Sequence, residues 1–246
     1  DINTIDRGVV KTQVMVTGYG GTYLSKREYI VKALKEKMDE QGIEIDIADF
    51  GIIVSACIEG MSIAFPQYSD LNDWFKVAAK AACKAGNEHL KWITPNGSYI
   101  AQDYREPIMD HIDTYAANGG HYCRLMMDDT EQLTYRTGWS DEVRESKHGS
   151  AIAANFTHSL DACMIQNGVV RVDPSIPVVT VHDCVYTMPG YTDQVVPHFR
   201  KAFYGVVTSP VLENFLEENG IQDTVKMLPR NEADVSVCMD SEYMFS

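Results

Sequence analysis

The 246-residue chain is short of positive charge: 21 Lys and Arg stand against 35 Asp and Glu, a formal net charge of −14. That argues against a surface basic all over, the usual electrostatic footprint of a nucleic-acid-binding protein. Its six cysteines (Cys57, Cys83, Cys123, Cys163, Cys184 and Cys238) form no Cys-x2-Cys pair. Scattered in this way, they are expected to be buried free thiols in a reducing compartment rather than zinc ligands. No apolar run is long enough to span a membrane and no signal-peptide pattern opens the chain, so a soluble intracellular protein is expected. His89, His111, His121, His148 and His198 show no metal-ligand spacing. What remains is 45% hydrophobic, enough for a sizeable core in one large or two smaller domains.

The charge is unevenly spread. Between Arg7 and Lys37 stand Arg7, Lys11, Lys26, Arg27, Lys32, Lys35 and Lys37 against only Glu28 and Glu36, whereas from Glu213 onward Lys226 and Arg230 are the only cations. A basic patch on an acidic body is compatible with a nucleic-acid channel. Within that patch, RGVVKTQVMVTGYGG repeats Arg7, Lys11, Met15 and Tyr19-Gly20 at steps of four. Steps of four keep side chains on one helical face. The face carries two cations suited to phosphate oxygens, then an aromatic ring suited to a sugar and base, then a glycine that allows close approach. Arg-x3-Lys alone also describes a solvated basic edge.

Periodicity and breakers predict helices over about 7–18, Lys26–Gln41, Asp49–Phe65, Asp73–Lys91 (capped by Asn72 or Asp73), Ser150–Gln166 (capped by Ser150, with Gly168 past its end) and Phe199–Glu218 on either side of Pro210. Trp74, Val77, Ala78, Ala81 and Ala82 are expected on the packed side of the fourth helix. Thr94–Gly97 reads as a turn. VVTVHDCVYTM, residues 178–188, reads as a hairpin tipped by His182-Asp183. An Asp there can reach a metal or serve as an ordinary turn residue. Residues 108–127 alternate around Asn118-Gly119-Gly120, which predicts a projecting β-hairpin.

Several motifs, in order, resemble the single-subunit bacteriophage-type RNA polymerases, whose fold is shared with family A DNA polymerases. Arg7, Lys11, Tyr19 and Gly20 match the family's motif B, R-x3-K-x7-YG, and His182-Asp183 match motif C. SAIAANFTHSLD (150–161) is similar to the block G-x-A-x-NF-x-HS-x-D, with Ser150 in place of its Gly. WITPNGSYIAQDYREP (92–107) is similar to W-x-TP-x-G…Q-x-Y-x-x-P, and the terminal YMFS resembles the family's aromatic foot. Met15 and Cys184 stand where DNA polymerases prefer an aromatic residue and Glu, which favours the RNA branch.

The resemblance implies an α+β, mainly helical fold. Residues 1–157 would be fingers, with motif B and a promoter-reading hairpin at about 104–146. Residues 158–246 would be C-terminal palm, with motif C and the foot. It implies templated nucleotidyl transfer with two Mg²⁺ ions. Asp183 would be the metal ligand, Arg7 and Lys11 would hold triphosphate, and Lys11 would be the general acid. Tyr19, Gly20 and His158 would bind the nucleotide, with Tyr19 and His158 choosing the sugar. On the hairpin His111, Asp113, Tyr115 and Arg124 are candidates to contact DNA, the alternative being an exposed loop that reads nothing. Implied partners are promoter and template DNA, nascent RNA and NTPs, with no membrane.

The family's motif A Asp lies upstream of motif B, and this chain starts a few residues before Arg7. The expectation is a C-terminal portion, cut or one chain of two, completed by a segment carrying motif A and the thumb. Alternatives are a family A DNA polymerase fragment or a non-catalytic nucleic-acid-binding piece. Compact motif spacing favours a phage source, in the cytoplasm of an infected bacterial host, over an organellar one.

Overall fold

A computed structural model of the chain describes residues 7–42, 47–114, 123–125, 131–229, 233–241 and 244. Four helices come first: α1 (Arg7–Gly18), α2 (Tyr23–Gln41), α3 (Ile47–Ala64) and α4 (Pro66–Lys84). The strand pair β1 (Leu90–Ile93) and β2 (Tyr99–Gln102) follows, then β3 (Arg105–Thr114), β4 (Cys123–Leu125) and β5 (Glu131–Val143). After the long helix α5 (Glu145–Arg171) come the hairpin β6 (Val178–Val181) and β7 (Cys184–Thr187), then α6 (Thr192–Thr208) and α7 (Val211–Glu218). The architecture is α+β and mainly helical, with three small antiparallel sheets among the described residues.

Local chemistry explains most boundaries and corrects some. The Thr22 hydroxyl accepts from the Ser25 N–H, so α2 starts three residues earlier than Lys26, and Gly42 ends it in the left-handed conformation. Helix α4 is not the expected Asp73–Lys91. Pro66 opens it at a position where a missing N–H costs nothing, and its axis turns by 84° from that of α3. It ends at Lys84, Gly86 follows with φ +90°, and Leu90 and Trp92 then alternate inward as strand β1. Asn72 is therefore mid-helix and its side chain donates to the Thr17 carbonyl. Of the expected packed side, Trp74, Ala78 and Ala82 are buried, but Val77 faces solvent and Phe75 and Ala79 take the inner positions.

Helix α5 runs past both expected ends. Ser150 donates to the Lys147 carbonyl inside it rather than capping it, and Gly168 lies within it because Phe199 of α6 occupies the space a side chain would need. The expectation of buried thiols holds for Cys163 but not for Cys184, which is exposed.

Three apolar clusters hold these elements. The largest joins α4, β1, α5 and α7 through Trp74, Phe75, Trp92, Phe156 and Phe215, whose rings meet at 5.2–6.3 Å in tilted or edge contacts. Each such ring contributes about 1.5–3 kcal/mol by leaving water. Val9, Ile30, Leu34 and Val54 join α1, α2 and α3. Val172, Val195 and Phe199 seat the β6–β7 hairpin on α5 and α6 through Val178 and Val185.

The β3–β5 ribbon projects from this body. Strand β3 pairs with β5 rather than with residues 120–127, β4 pairs with the far side of β5, and the expected Asn118-Gly119-Gly120 turn lies outside the described residues. Between Ile108 and Met109 the register shifts by one residue at Thr137. That bulge brings Arg136 and Trp139 to one face, where the guanidinium lies 4.3 Å from the ring centroid.

Candidate active site

Helix α1 divides its residues as the four-step pattern requires. Val9, Gln13 and Thr17 are buried, whereas Arg7, Lys11 and Met15 face outward. The Tyr19 N–H donates to the Met15 carbonyl at 3.1 Å, so the helical turn carries Tyr19 onto the same stripe. Gly20 then turns the chain with φ +74°, close against Ala153 of α5 and Asn72 of α4. This close approach leaves the Tyr19 ring beside His158 of α5, centroids 4.5 Å apart.

The β6–β7 hairpin brings the third component. His182 adopts φ 55°, the left-handed conformation that a tight two-residue turn demands, and Asp183 stands exposed at the tip. A cavity of about 740 Å³ opens between this hairpin, α5 and α6, lined among others by Asp183, Asp161, Met164, Tyr186, Phe199 and Met244. Partial burial pushes the Asp161 carboxyl up; the negative charge of Asp183 adds to this and His158 opposes it. Burial, then Asp161, then Asp183 push the Tyr19 hydroxyl up, which keeps it protonated and able to donate.

The structure thus brings Tyr19 and Gly20 against α5 at His158, and the Asp183 charge is felt at the Tyr19 hydroxyl. Arg7 and Lys11 lie further along the α1 stripe, Lys11 about 12 Å from Tyr19 at 1.5 Å per residue. Asp161 is absent from the residues singled out on sequence grounds. It stands in the NF-x-HS-x-D block, and its three-residue spacing from His158 was the available signal.

Two of the sequence blocks prove to be docking partners. The Trp92 indole N–H donates to Ser159 Oγ at 2.8 Å, and Asn155 Nδ2 donates to Gln102 Oε1 at 2.8 Å and to the Tyr104 hydroxyl at 3.2 Å. His148, fully buried, accepts the Tyr104 N–H at Nε2 and meets Gln102 at Nδ1. Burial holds its ring below the ordinary histidine range. The Trp, Gln and Tyr of one block therefore clamp the Asn and Ser of the other, and α5 is fixed on either side of His158. A second cavity, of about 350 Å³, lies between them and reaches His158.

On the ribbon, His111 is exposed and its N–H donates to Asp110. Asp113 and Arg124 lie in β3 and β4 with side chains outside the described set, and Tyr115 lies outside the described residues. Arg105 is tied to Asp103 at 2.7 Å and to Glu88 at 3.3 Å, and Arg144 faces Glu106 at 3.6 Å. Asp183 offers the hard oxygen that Mg²⁺ prefers. Among the described residues no group of three or more His, Cys, Asp or Glu is arranged to hold a metal.

A helix bearing exposed, spaced cations that ends at an aromatic ring, and a carboxylate-tipped hairpin that lines a cavity, carry chemistry suited to phosphate-bearing ligands. The family is narrower: the model for DNA-dependent RNA polymerase matches residues 2–239, and the chain belongs to that family, of the single-subunit bacteriophage type. It is 28% identical over 253 residues to DNA-directed RNA polymerase 2, chloroplastic/mitochondrial, of Arabidopsis thaliana, with 100% of this chain and 23% of that protein covered. To DNA-directed RNA polymerase 1B, mitochondrial, of Nicotiana tabacum it is 28% identical over 256 residues, with the same coverage of 100% and 23%. DNA-directed RNA polymerase 2A of Nicotiana tabacum is 26% identical over 253 residues, 100% of this chain and 70% of that protein.

The chain thus spans under a quarter of the length of the first two relatives. Those relatives are named as plant organellar enzymes, which overturns the expected location in the cytoplasm of an infected bacterial host. Compact motif spacing did not discriminate phage from organellar members, because loop length between motifs is free to vary without disturbing the site.

Proposed function

We propose that the chain is the part of a DNA-dependent RNA polymerase that carries the nucleotide-binding fingers helix and the C-terminal palm, divided at about residue 157 as the motif order implies. The observation that carries this reading is the meeting of Tyr19 and His158, from separate motif blocks, beside Asp183. The reaction is attack of the RNA 3′-OH on the α-phosphate of an NTP, with pyrophosphate leaving.

Asp183 would hold Mg²⁺ together with the carboxylate of the family's motif A, which is not among these 246 residues. Two such ions, when bound, supply the positive charge that eases deprotonation of the 3′-OH and offsets charge on the phosphates. Arg7 and Lys11 grip the triphosphate, and Lys11 protonates the departing pyrophosphate, a task Arg cannot perform because it does not release its proton. Tyr19 and His158 test for the ribose 2′-OH: a site built to bond a hydroxyl rejects the analogue that lacks it. Gly20 leaves room for the templating pair. The β3–β5 ribbon faces promoter DNA, with His111, Asp113, Tyr115 and Arg124 as candidate contacts, and a two-stranded ribbon fits a major groove.

One carboxylate does not organise two metal ions, so the purified chain should not synthesise RNA alone. Adding the segment that bears motif A and the thumb should restore templated synthesis from rNTPs in preference to dNTPs. Robust synthesis by the chain alone, or a preference for dNTPs, would contradict the proposal. The second outcome would favour a family A DNA polymerase, an alternative the RNA polymerase relatives do not support.

A further inference from the structure

Residues 234–241 pack along α6, with a 3₁₀ turn at Val235–Met239. None of them is buried, and none belongs to the three apolar clusters. Among the described residues their own hydrogen bonds are local: the Ser236 N–H donates to Asp234, and the Asp240 and Ser241 N–H groups donate to the Val237 carbonyl. What ties the segment to the body is Arg200 of α6. Its guanidinium donates from one terminal nitrogen to the Met239 carbonyl at 3.0 Å and from the other to the Ser241 carbonyl. Its Nε–H is buried without a partner, so these two carbonyls take all of its described hydrogen bonding. A planar guanidinium fixes two acceptors at once, which an ammonium does not.

The held segment leads to Met244, which borders the cavity of about 740 Å³ that Asp183 lines. Met244 also borders a further cavity, of about 610 Å³, lined by Leu160, Phe203, Val237 and Cys238 among others. It therefore stands between the two spaces, three residues beyond the Ser241 carbonyl that Arg200 holds. Withdrawing it would open the Asp183 cavity toward its neighbour. A closed wall limits water beside a carboxylate, and electrostatic interactions there are stronger the less water is present.

We propose that Arg200 is a positioning residue: by holding the Met239 and Ser241 carbonyls it keeps Met244 in the wall of the Asp183 cavity, and so closes one side of the site of nucleotidyl transfer. The inference rests on the reading of Asp183 as the place where that chemistry occurs. Arg200 does not touch the nucleotide; it acts through the segment it latches.

The test is a mutant cycle in the complete polymerase containing this chain, with Arg200→Ala, Arg200→Lys, Met244→Ala and the Arg200→Ala/Met244→Ala double variant. Steady-state kinetics give kcat and KM for rNTP, and melting gives stability. The rate at which N-ethylmaleimide alkylates Cys238, followed by peptide mass spectrometry, reports the latch without reference to activity, because Cys238 lies in the latched segment and is only partly exposed. Arg200→Ala should lower kcat by roughly tenfold with little change in KM, since the proposed triphosphate grip is on α1. It should also speed alkylation of Cys238 several-fold. Arg200→Lys keeps the charge without the fork and should recover only part of both. Met244→Ala should lower kcat and leave Cys238 as slow as before. The double variant should lose less than the product of the two single losses, because residues that act through one another are not additive. Unchanged alkylation in Arg200→Ala, normal kcat in Met244→Ala, losses that multiply, or a fall in melting with kcat intact would each overturn the inference. Near-normal turnover of Asp183→Asn would instead sink the reading of the site, and the inference with it, while faster alkylation in Arg200→Ala would still show the latch itself.

Discussion

Tyr19 and His158 meet with ring centroids 4.5 Å apart and planes tilted by 55°. The contact has a backbone cause. The Tyr19 N–H keeps the last turn of α1 closed on Met15, and Gly20 reverses the chain at φ +74° in a space bounded by Ala153 and Asn72. Side chains rarely adopt that conformation, so glycine at the end of the stripe sets where the ring before it points. The Tyr19–His158 contact therefore depends on α1 and α5 being locked together at one residue.

Tyr19→Phe removes a hydroxyl and keeps the ring against His158. In the complete polymerase it should accept dNTPs more readily with little loss of rNTP rate, a change of about 1–3 kcal/mol in discrimination. Competition incorporation on a single template measures it. Unchanged selectivity would remove Tyr19 from sugar choice.

Gly168→Ala should destabilise the chain. Alanine favours a helix by about 1 kcal/mol over glycine, but the added methyl would overlap the Phe199 ring, which is 4% exposed and would have to shift to admit it. Overpacking of this kind costs about 1–3 kcal/mol. Denaturant unfolding would show a lower midpoint, and a midpoint at or above that of the parent would count against close α5–α6 packing.

Buried His148 makes stability depend on pH in one direction. Its folded-state ring titrates below the ordinary value of 6.5, chiefly through burial, while the backbone of Tyr104 and the Asp103 charge partly offset this. In that window the unfolded chain binds more protons, so stability rises with pH. The contribution is fully present above about pH 6.5 and is lost as pH falls through the folded value. Melting midpoints between about pH 7.5 and 5 should fall less steeply for His148→Gln than for the parent. Equal slopes would mean His148 is not the titrating group.

Much of this arrangement was legible beforehand where one residue sets one local rule. The four-step stripe and the glycines that follow it marked α1, described from Arg7 to Gly18, and the β-branched runs around His182-Asp183 placed the hairpin and its tip. Boundaries failed where a tertiary contact outweighed a local signal. Gly168 looks like a helix end and is instead the seat of Phe199, and Leu90 looks helical and is instead a buried strand position. The ribbon register was out of reach, because a bulge at Thr137 re-aims Arg136 toward Trp139 with no periodic trace in the sequence. Asp161 was overlooked because it shares a cavity wall with Asp183 only through the tertiary fold, which its own sequence neighbours do not reveal.

The central claim, that this site joins nucleotides through a carboxylate at the hairpin tip, is tested most directly by Asp183→Asn. An amide is nearly the same size as a carboxylate but is a far weaker ligand for Mg²⁺. Asp183 is exposed and supports no core, so the exchange should leave folding and template binding intact. In the complete polymerase, templated RNA synthesis should drop by about 10²-fold or more, equivalent to about 2.7 kcal/mol or more at the transition state. Near-normal turnover would show that Asp183 is a turn residue and that the metal, and the chemistry, lie elsewhere.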